Sequence, residues 1–182
     1  MSYLARPAIF VDRDDTIMAD VGYCSDPHKV KLLPQAAEGL RVLSQNGFVI
    51  VIVTNQSGLG RRYFTERDLE NVNARLRQEL KTMGADFNAL YYCPHRPDEG
   101  CACRKPRPGL ILKAASELEL DLASSYTIGD RELDILAGKS AGTKTVLVSN
   151  GEELSNAQNP QHADLVARDL LEAARLILSE RP

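Results

Sequence analysis

The sequence predicts an α/β fold, a single domain built on a doubly wound, Rossmann-like parallel sheet, and three observations carry that expectation. Five short apolar runs rich in Val, Ile and Tyr, at 8–11, 48–53, 89–92, 126–128 and 145–148, read as buried parallel strands. Segments of helical period separate them, so strand and helix alternate and right-handed crossovers onto one sheet are implied. The 182 residues contain no low-complexity stretch or Ser/Gly linker, so residues 1–182 are expected to form one globular unit.

Taken in order, the first strand (8–11) runs directly into Asp12-Arg13-Asp14-Asp15-Thr16. The first helix spans 34–45, opened by Pro34 and closed by Asn46-Gly47. After the strand at 48–53, the next helix spans 66–83, with Thr65 as its N-cap and Gly84 as its C-terminal stop. The strand at 89–92 precedes a helix at 108–118, the strand at 126–128 precedes one at 132–139, and a last helix is expected at 169–178. Three stretches remain irregular: 19–33, 56–64 and 93–107. Each follows a predicted strand, so all three should crowd over one end of the sheet and wall a site there.

Composition narrows the partners. A net charge of -3 gives no drive toward nucleic acid or an anionic membrane, and the absence of Trp leaves little for base stacking. No apolar run approaches the roughly 20 residues needed to cross a bilayer, and the N-terminus lacks the basic-then-apolar pattern of a signal peptide. A cytoplasmic monomer acting on a small molecule is expected. In that reducing compartment the four cysteines are thiols or metal ligands rather than disulfides.

Carboxylates at strand ends carry the chemistry. Asp12 and Asp14 follow the first strand, and Gly129-Asp130 with Asp134 follows the fourth. Acidic residues at strand ends are also ordinary turn formers and caps. Several converging on one point repel unless a hard cation such as Mg²⁺ lies between them. A carboxylate can attack phosphorus directly, so Asp12 is the candidate nucleophile and Asp14 the candidate acid/base. The run Thr54-Asn55-Gln56-Ser57-Gly58 after the second strand offers a hydroxyl, amides and backbone N–H groups to phosphoryl oxygens. Arg104-Lys105-Pro106 supplies cations, Lys105 for the transferring group and Arg104 for a forked contact to substrate.

Together D-x-D-x-T, T-N-Q-S-G, the lysine and G-D-x-x-x-D occur in order, each after a strand, and they resemble the four motifs of the haloacid dehalogenase phosphatase superfamily. The resemblance runs from residue 8 to about 148, and it is nearest to the heptose 1,7-bisphosphate and histidinol-phosphate phosphatases. Phe-Val-Asp-Arg-Asp, Val-Thr-Asn-Gln-Ser-Gly, Tyr-Tyr-Cys-Pro-His and Cys-Arg-Lys-Pro are the matching words. The likeness implies that Asp12 is the nucleophile, Asp14 the acid/base, Thr54 and Lys105 phosphoryl stabilisers and Arg104 a substrate-recognition residue. It implies Mg²⁺ on Asp12, the main-chain carbonyl of Asp14, and Asp130. It also implies substrate contacts from Asp20, Val21, Gly22, Tyr23, Asn55, Gln56, Ser57 and Arg131. Similar sequences carry glycine where this chain has Asp15, in a position that favours an unusual backbone conformation. Phosphatases of this kind often carry an inserted cap domain. Neither gap here has room for one, so loops alone should cover the pocket.

Cys93, His95, Cys101 and Cys103 form C-x-H-x₅-C-x-C, the ligand set of a closed tetrahedral Zn²⁺ site. With no open coordination position such a zinc would be structural, pinning the loop that bears Arg104 and Lys105. Cys24 reads as a buried thiol or a wall of the site, His28 and His162 as solvated. The expected activity is Mg²⁺-dependent hydrolysis of a small phosphorylated metabolite through an aspartyl phosphate. A heptose 1,7-bisphosphate losing its C7 phosphate is preferred over histidinol phosphate. A noncatalytic phosphate-binding protein would have no need of Asp12, Asp14 and Lys105, and a DNA 3′-phosphatase would need a basic track.

Overall fold

The computed structural model describes residues 5–151 and 162–181. Six strands, β1 (Ala8–Val11), β2 (Val49–Asn55), β3 (Ala89–Cys93), β4 (Tyr126–Gly129), β5 (Lys144–Val148) and β6 (Leu165–Ala167), form one sheet in the order β3-β2-β1-β4-β5-β6. Every pairing is parallel. Between the strands stand α1 (Ala36–Gln45), α2 (Ser57–Gly60), α3 (Glu66–Thr82), α4 (Gly109–Leu118), α5 (Glu132–Ala141) and, after β6, α6 (Leu170–Ser179).

Alternation along the strands divides the core into two layers. Ile9 and Val11 face one cluster with Leu40 and Leu43 of α1, Val72, Leu76 and Leu80 of α3, and Ala173 and Ile177 of α6. Ala8 and Phe10 face the other, with Leu110, Ile111 and Ala114 of α4 and Ala137 and Ala141 of α5. Helices thus cover both faces, as the evenly apolar strands require. The contact of α1 with α6 is close: a Cβ on Gly39 would lie 2.4 Å from the carbonyl oxygen of Leu170. Thr65 caps α3 as its position foretold, accepting from the Asp68 N–H while the Asp68 carboxylate accepts from the N–H of Thr65.

Helix ends shift by a residue or two, with α1 starting at Ala36 rather than Pro34 and α5 running to Ala141 rather than Lys139, and three further features depart from the sequence reading. Strand β2 continues through Thr54 and Asn55, because these polar residues still find ladder partners in Tyr92 and Cys93. One helical turn, α2, forms within the stretch 56–64 expected to be irregular. The edge strand β6 was not foreseen, since three residues beside β5 are too few to show a pattern. Among the described residues no helix is long and apolar enough to cross a membrane.

The chain runs outward from β1 to β3 and then returns to the other side of β1 with β4. The order reverses between β1 and β4, and in open α/β sheets the crevice beyond the carboxyl ends of such strands receives the ligand.

Candidate active site

The last residues of β1 and β4 deliver Asp12 and Asp130 to that crevice, and the register carries on past the strand, with the Asp12 N–H donating to the Ile128 carbonyl at 2.9 Å. Asp134 joins them from the first turn of α5, where its carboxylate accepts from the Arg131 N–H at 3.2 Å. This fold-back requires glycine at 129: a Cβ there would lie 2.4 Å from the Asp134 carboxylate. Oxygens of Asp12, Asp130 and Asp134 lie within 4.8 Å of one another.

Lys105 reaches the same point from the loop before α4. Its buried ammonium donates to Asp12 Oδ1 at 2.6 Å and to the Val53 carbonyl at 2.8 Å, and lies 2.6 Å from Asp134 Oδ1. Burial works against its charge, but Asp12 and Asp134 outweigh that and hold the lysine protonated well above its ordinary range. Burial pushes the Asp130 carboxyl up to about 6, with Asp134 adding to the effect. Burial likewise raises Asp12, and Lys105 offsets this only in part. Three buried carboxylates around one buried ammonium leave the cluster net negative. A hard, oxygen-seeking divalent cation would relieve that excess, so the donor set fits Mg²⁺.

Asp14, half-buried, occupies the facing wall. Arg13 holds both its oxygens at 3.0–3.2 Å. Gln56 Nε2 donates to Asp14 Oδ2 at 2.9 Å and to Thr54 Oγ1 at 2.8 Å, and the Thr54 hydroxyl lies 3.4 Å from the same carboxylate oxygen. Asn55 serves Lys105: its Oδ1 accepts from the Lys105 N–H at 3.1 Å and its Nδ2 donates to the Lys105 carbonyl at 3.2 Å. The side chain expected beside substrate therefore fixes the lysine's backbone.

A cavity of about 380 Å³ opens over these groups, lined by Asp12, Asp14, Asp20, Gly22, Tyr23, Thr54, Asn55, Gln56, Ser57, Arg104, Lys105 and Arg131 among others. All but two of the predicted site residues outside the Cys/His cluster are in that wall. Val21 is 41% exposed and outside the lining, and Asp130, buried, is also outside it, accepting from the Thr16 hydroxyl at 3.3 Å. Arg61 and Cys24 also line the cavity, as do Arg13, Pro97 and Leu133, which the sequence did not single out. The Tyr23 ring meets Tyr63 edge-on at 4.8 Å between centroids, tying the loop after β1 to the turn after α2. Arg131 reaches Asp130 at 3.5 Å and Asp20 at 3.6 Å.

Beside the cavity, Cys93 at the end of β3 gathers His95, Cys101 and Cys103, with Sγ–Sγ and Sγ–Nδ1 separations of 3.2–3.5 Å. Those are close to the edges of a tetrahedron about a zinc with ordinary bond lengths. Burial drives the Cys93 thiol up to about 12, so a thiolate there calls for a cation. The Arg104 guanidinium bonds the His95 carbonyl at 3.4 Å, which couples the cluster to the cavity wall.

A family model for HAD-hydrolase-like proteins matches residues 102–173. Over 180 residues, covering 94% of this chain and 95% of the relative, the sequence is 38% identical to D-glycero-β-D-manno-heptose-1,7-bisphosphate 7-phosphatase of Yersinia pestis. The chain belongs to this phosphatase family. It is 37% identical over 185 residues to the enzyme of the same name from Escherichia coli K12, covering 96% and 95% of the two chains. The D,D-heptose 1,7-bisphosphate phosphatase of B. bronchiseptica, solved with magnesium and phosphate, superposes with a TM-score of 0.84 at 31% identity, over 96% of this chain and 99% of that one. The protein is accordingly a HAD-fold phosphatase.

Proposed function

We propose that the protein removes the C7 phosphate from D-glycero-β-D-manno-heptose 1,7-bisphosphate in a Mg²⁺-dependent reaction. One observation carries the choice of a bisphosphate: Arg61, Arg104 and Arg131 line the same cavity as Asp12 and Lys105. Lys105 serves the phosphoryl group being transferred, and the guanidinium donors that Asp20, Asp130 and the His95 carbonyl do not use are left for a second anion. Guanidinium forks suit phosphate oxygens. Histidinol phosphate, which carries an amine and an imidazole, would need carboxylates on that rim. Asp20 is there but faces Arg131 at 3.6 Å, and Asp26 caps the N–H of His28 instead.

In this reading Asp12 attacks phosphorus, oriented by the lysine on Oδ1. As the bond from phosphorus to the sugar oxygen breaks, Asp14 gives that oxygen a proton. Asp14 then takes a proton from the water that attacks the aspartyl phosphate, releasing inorganic phosphate and restoring Asp12. Thr54, Lys105 and the backbone around Ser57 hold the phosphoryl oxygens through both steps. Asp12, the Asp14 carbonyl and Asp130 would hold Mg²⁺, which supplies charge neutralisation to the phosphoryl group. Asp134 fixes Lys105 and stands ready as a further support. Cys93, His95, Cys101 and Cys103 would hold a structural Zn²⁺ that keeps Arg104 and Lys105 in register.

Competition between the two phosphate esters tests the substrate. The expected kcat/KM for the heptose bisphosphate exceeds that for histidinol phosphate by at least about tenfold, 1.4 kcal/mol of differential transition-state binding. Arg104→Ala should erase most of that preference. The reverse order of the two substrates would overturn the assignment and leave the phosphatase chemistry intact.

A further inference from the structure

Arg13, which stands between the two carboxylates of the first motif in sequence, is only 1% exposed, and its guanidinium is buried against Asp14. Burying such a group is costly unless its N–H donors are met. Nε and Nη2 together span Asp14, each reaching both oxygens at 3.0–3.2 Å. Nη1 donates to Asn73 Oδ1 at 2.9 Å, so the fork is anchored from α3. A compact ammonium would balance the charge of Asp14 but could not fix the plane of its carboxylate; a guanidinium does both. On another side Gln56 and Thr54 contact Asp14 Oδ2. Asp14 is therefore set between a buried cation and the side chains proposed to cradle phosphate.

We infer that Arg13 is a positioning residue for the reaction: its fork, anchored by Asn73, orients the Asp14 carboxyl toward the oxygen that leaves phosphorus. The inference rests on the reading of Asp14 as the acid that protonates that oxygen. When the proton is carried, one Asp14 oxygen gives up a guanidinium contact while the other stays held, so the group can turn without losing its place.

The test compares kcat/KM, with Mg²⁺ saturating, for the heptose bisphosphate and for p-nitrophenyl phosphate. This parameter reads the steps up to formation of the aspartyl phosphate. A sugar alkoxide needs a proton to leave and p-nitrophenolate does not, so damage to the acid lowers the sugar-to-aryl ratio. Arg13→Gln should lower it by at least about tenfold, a fraction of the 10²–10⁴ that acid–base catalysis contributes. Asn73→Ala removes the anchor and leaves the buried arginine in place; it should lower the ratio several-fold in protein with an unchanged melting curve. It decides the matter should Arg13→Gln not fold. Asp14→Asn is the reference. If Asp14→Asn leaves the ratio unchanged, the acid role fails and this inference falls with it. If Asp14→Asn lowers the ratio while the folded Arg13 and Asn73 variants slow both esters alike, or neither, Arg13 is structural only and the inference is overturned.

Discussion

The carboxylate–lysine centre and the Cys/His cluster sit side by side but are assembled in opposite ways. The first collects Asp12, Lys105, Asp130 and Asp134 from β1, the loop before α4, β4 and α5, and has no existence until the sheet has formed. The second comes from the single stretch 93–103 and needs only the end of β3 and one loop. The centre holds its members by buried ion pairs, where each group depends on the others. The cluster, one buried thiol with two half-buried thiols and an imidazole, would depend on an ion. Loss of one member should therefore propagate through the centre and stay local in the cluster.

Asp12→Asn breaks the comparison most sharply. The amide keeps the shape of the carboxylate but cannot form the phosphoaspartate, so turnover should vanish while circular dichroism and melting remain those of a folded protein. Turnover near the parent rate, in protein free of contaminating phosphatase, would end the covalent reading.

Lys105→Met should damage chemistry and stability together. It strands Asp12 and Asp134, which now share one ammonium at 2.6 Å each. Breaking a buried pair by removing one partner costs about 3 kcal/mol. Urea unfolding should show that loss, alongside turnover too slow to measure. A variant as stable as the parent would mean that the three buried groups are not energetically coupled.

The cluster should behave differently. Protein purified without chelator is expected to carry one zinc per chain by elemental analysis. Cys101→Ser with Cys103→Ser should lose it and melt lower by about 5 °C or more. Turnover of the protein that stays folded should persist, with KM raised because Arg104 loses its hold near His95. A zinc-free parent that melts like the double variant would remove the metal from this loop.

Much of this was legible in the sequence, for reasons that differ between the two regions. The cluster is a local pattern, so the spacing of three cysteines and a histidine suffices. The centre was legible because each motif abuts an apolar run, and a parallel sheet brings all such ends to one edge. For Asn55 and Arg13 the fold adds what the sequence does not show. Asn55 lines the cavity as its place after β2 suggests, and in addition both its amide atoms serve the Lys105 backbone, a partner 50 positions away. Arg13 occupies the unassigned middle position of D-x-D, and only the fold reveals that it is buried and tied to Asn73, 60 positions on. The strand β6 is three residues long and declares itself only through its pairing with β5.

The smallest effect expected tests Asp15, which stands where the resemblance leads one to expect glycine. Asp15 has φ 55°, the left-handed region that glycine occupies freely, so its side chain pays a conformational penalty of about 1 kcal/mol. Against this, Asp15 Oδ1 accepts from the Asp20 N–H at 2.8 Å, and the Asn150 amide bonds the Asp15 carbonyl. The first of these contributes about 1 kcal/mol and would be lost in Asp15→Gly, while the second, made by the main chain, would be kept. Glycine also adds freedom to the unfolded chain, worth some tenths of a kcal/mol to about 1. These contributions nearly cancel, so Asp15→Gly should change unfolding free energy by no more than about 1 kcal/mol. The clearer readout is then the loop from Asp20 to Tyr23, which Asp15 pins beside the cavity wall. Removing that tether should raise KM for the bisphosphate more than it lowers kcat. An unchanged KM would show that Arg131 and the Tyr23–Tyr63 contact hold the loop without it.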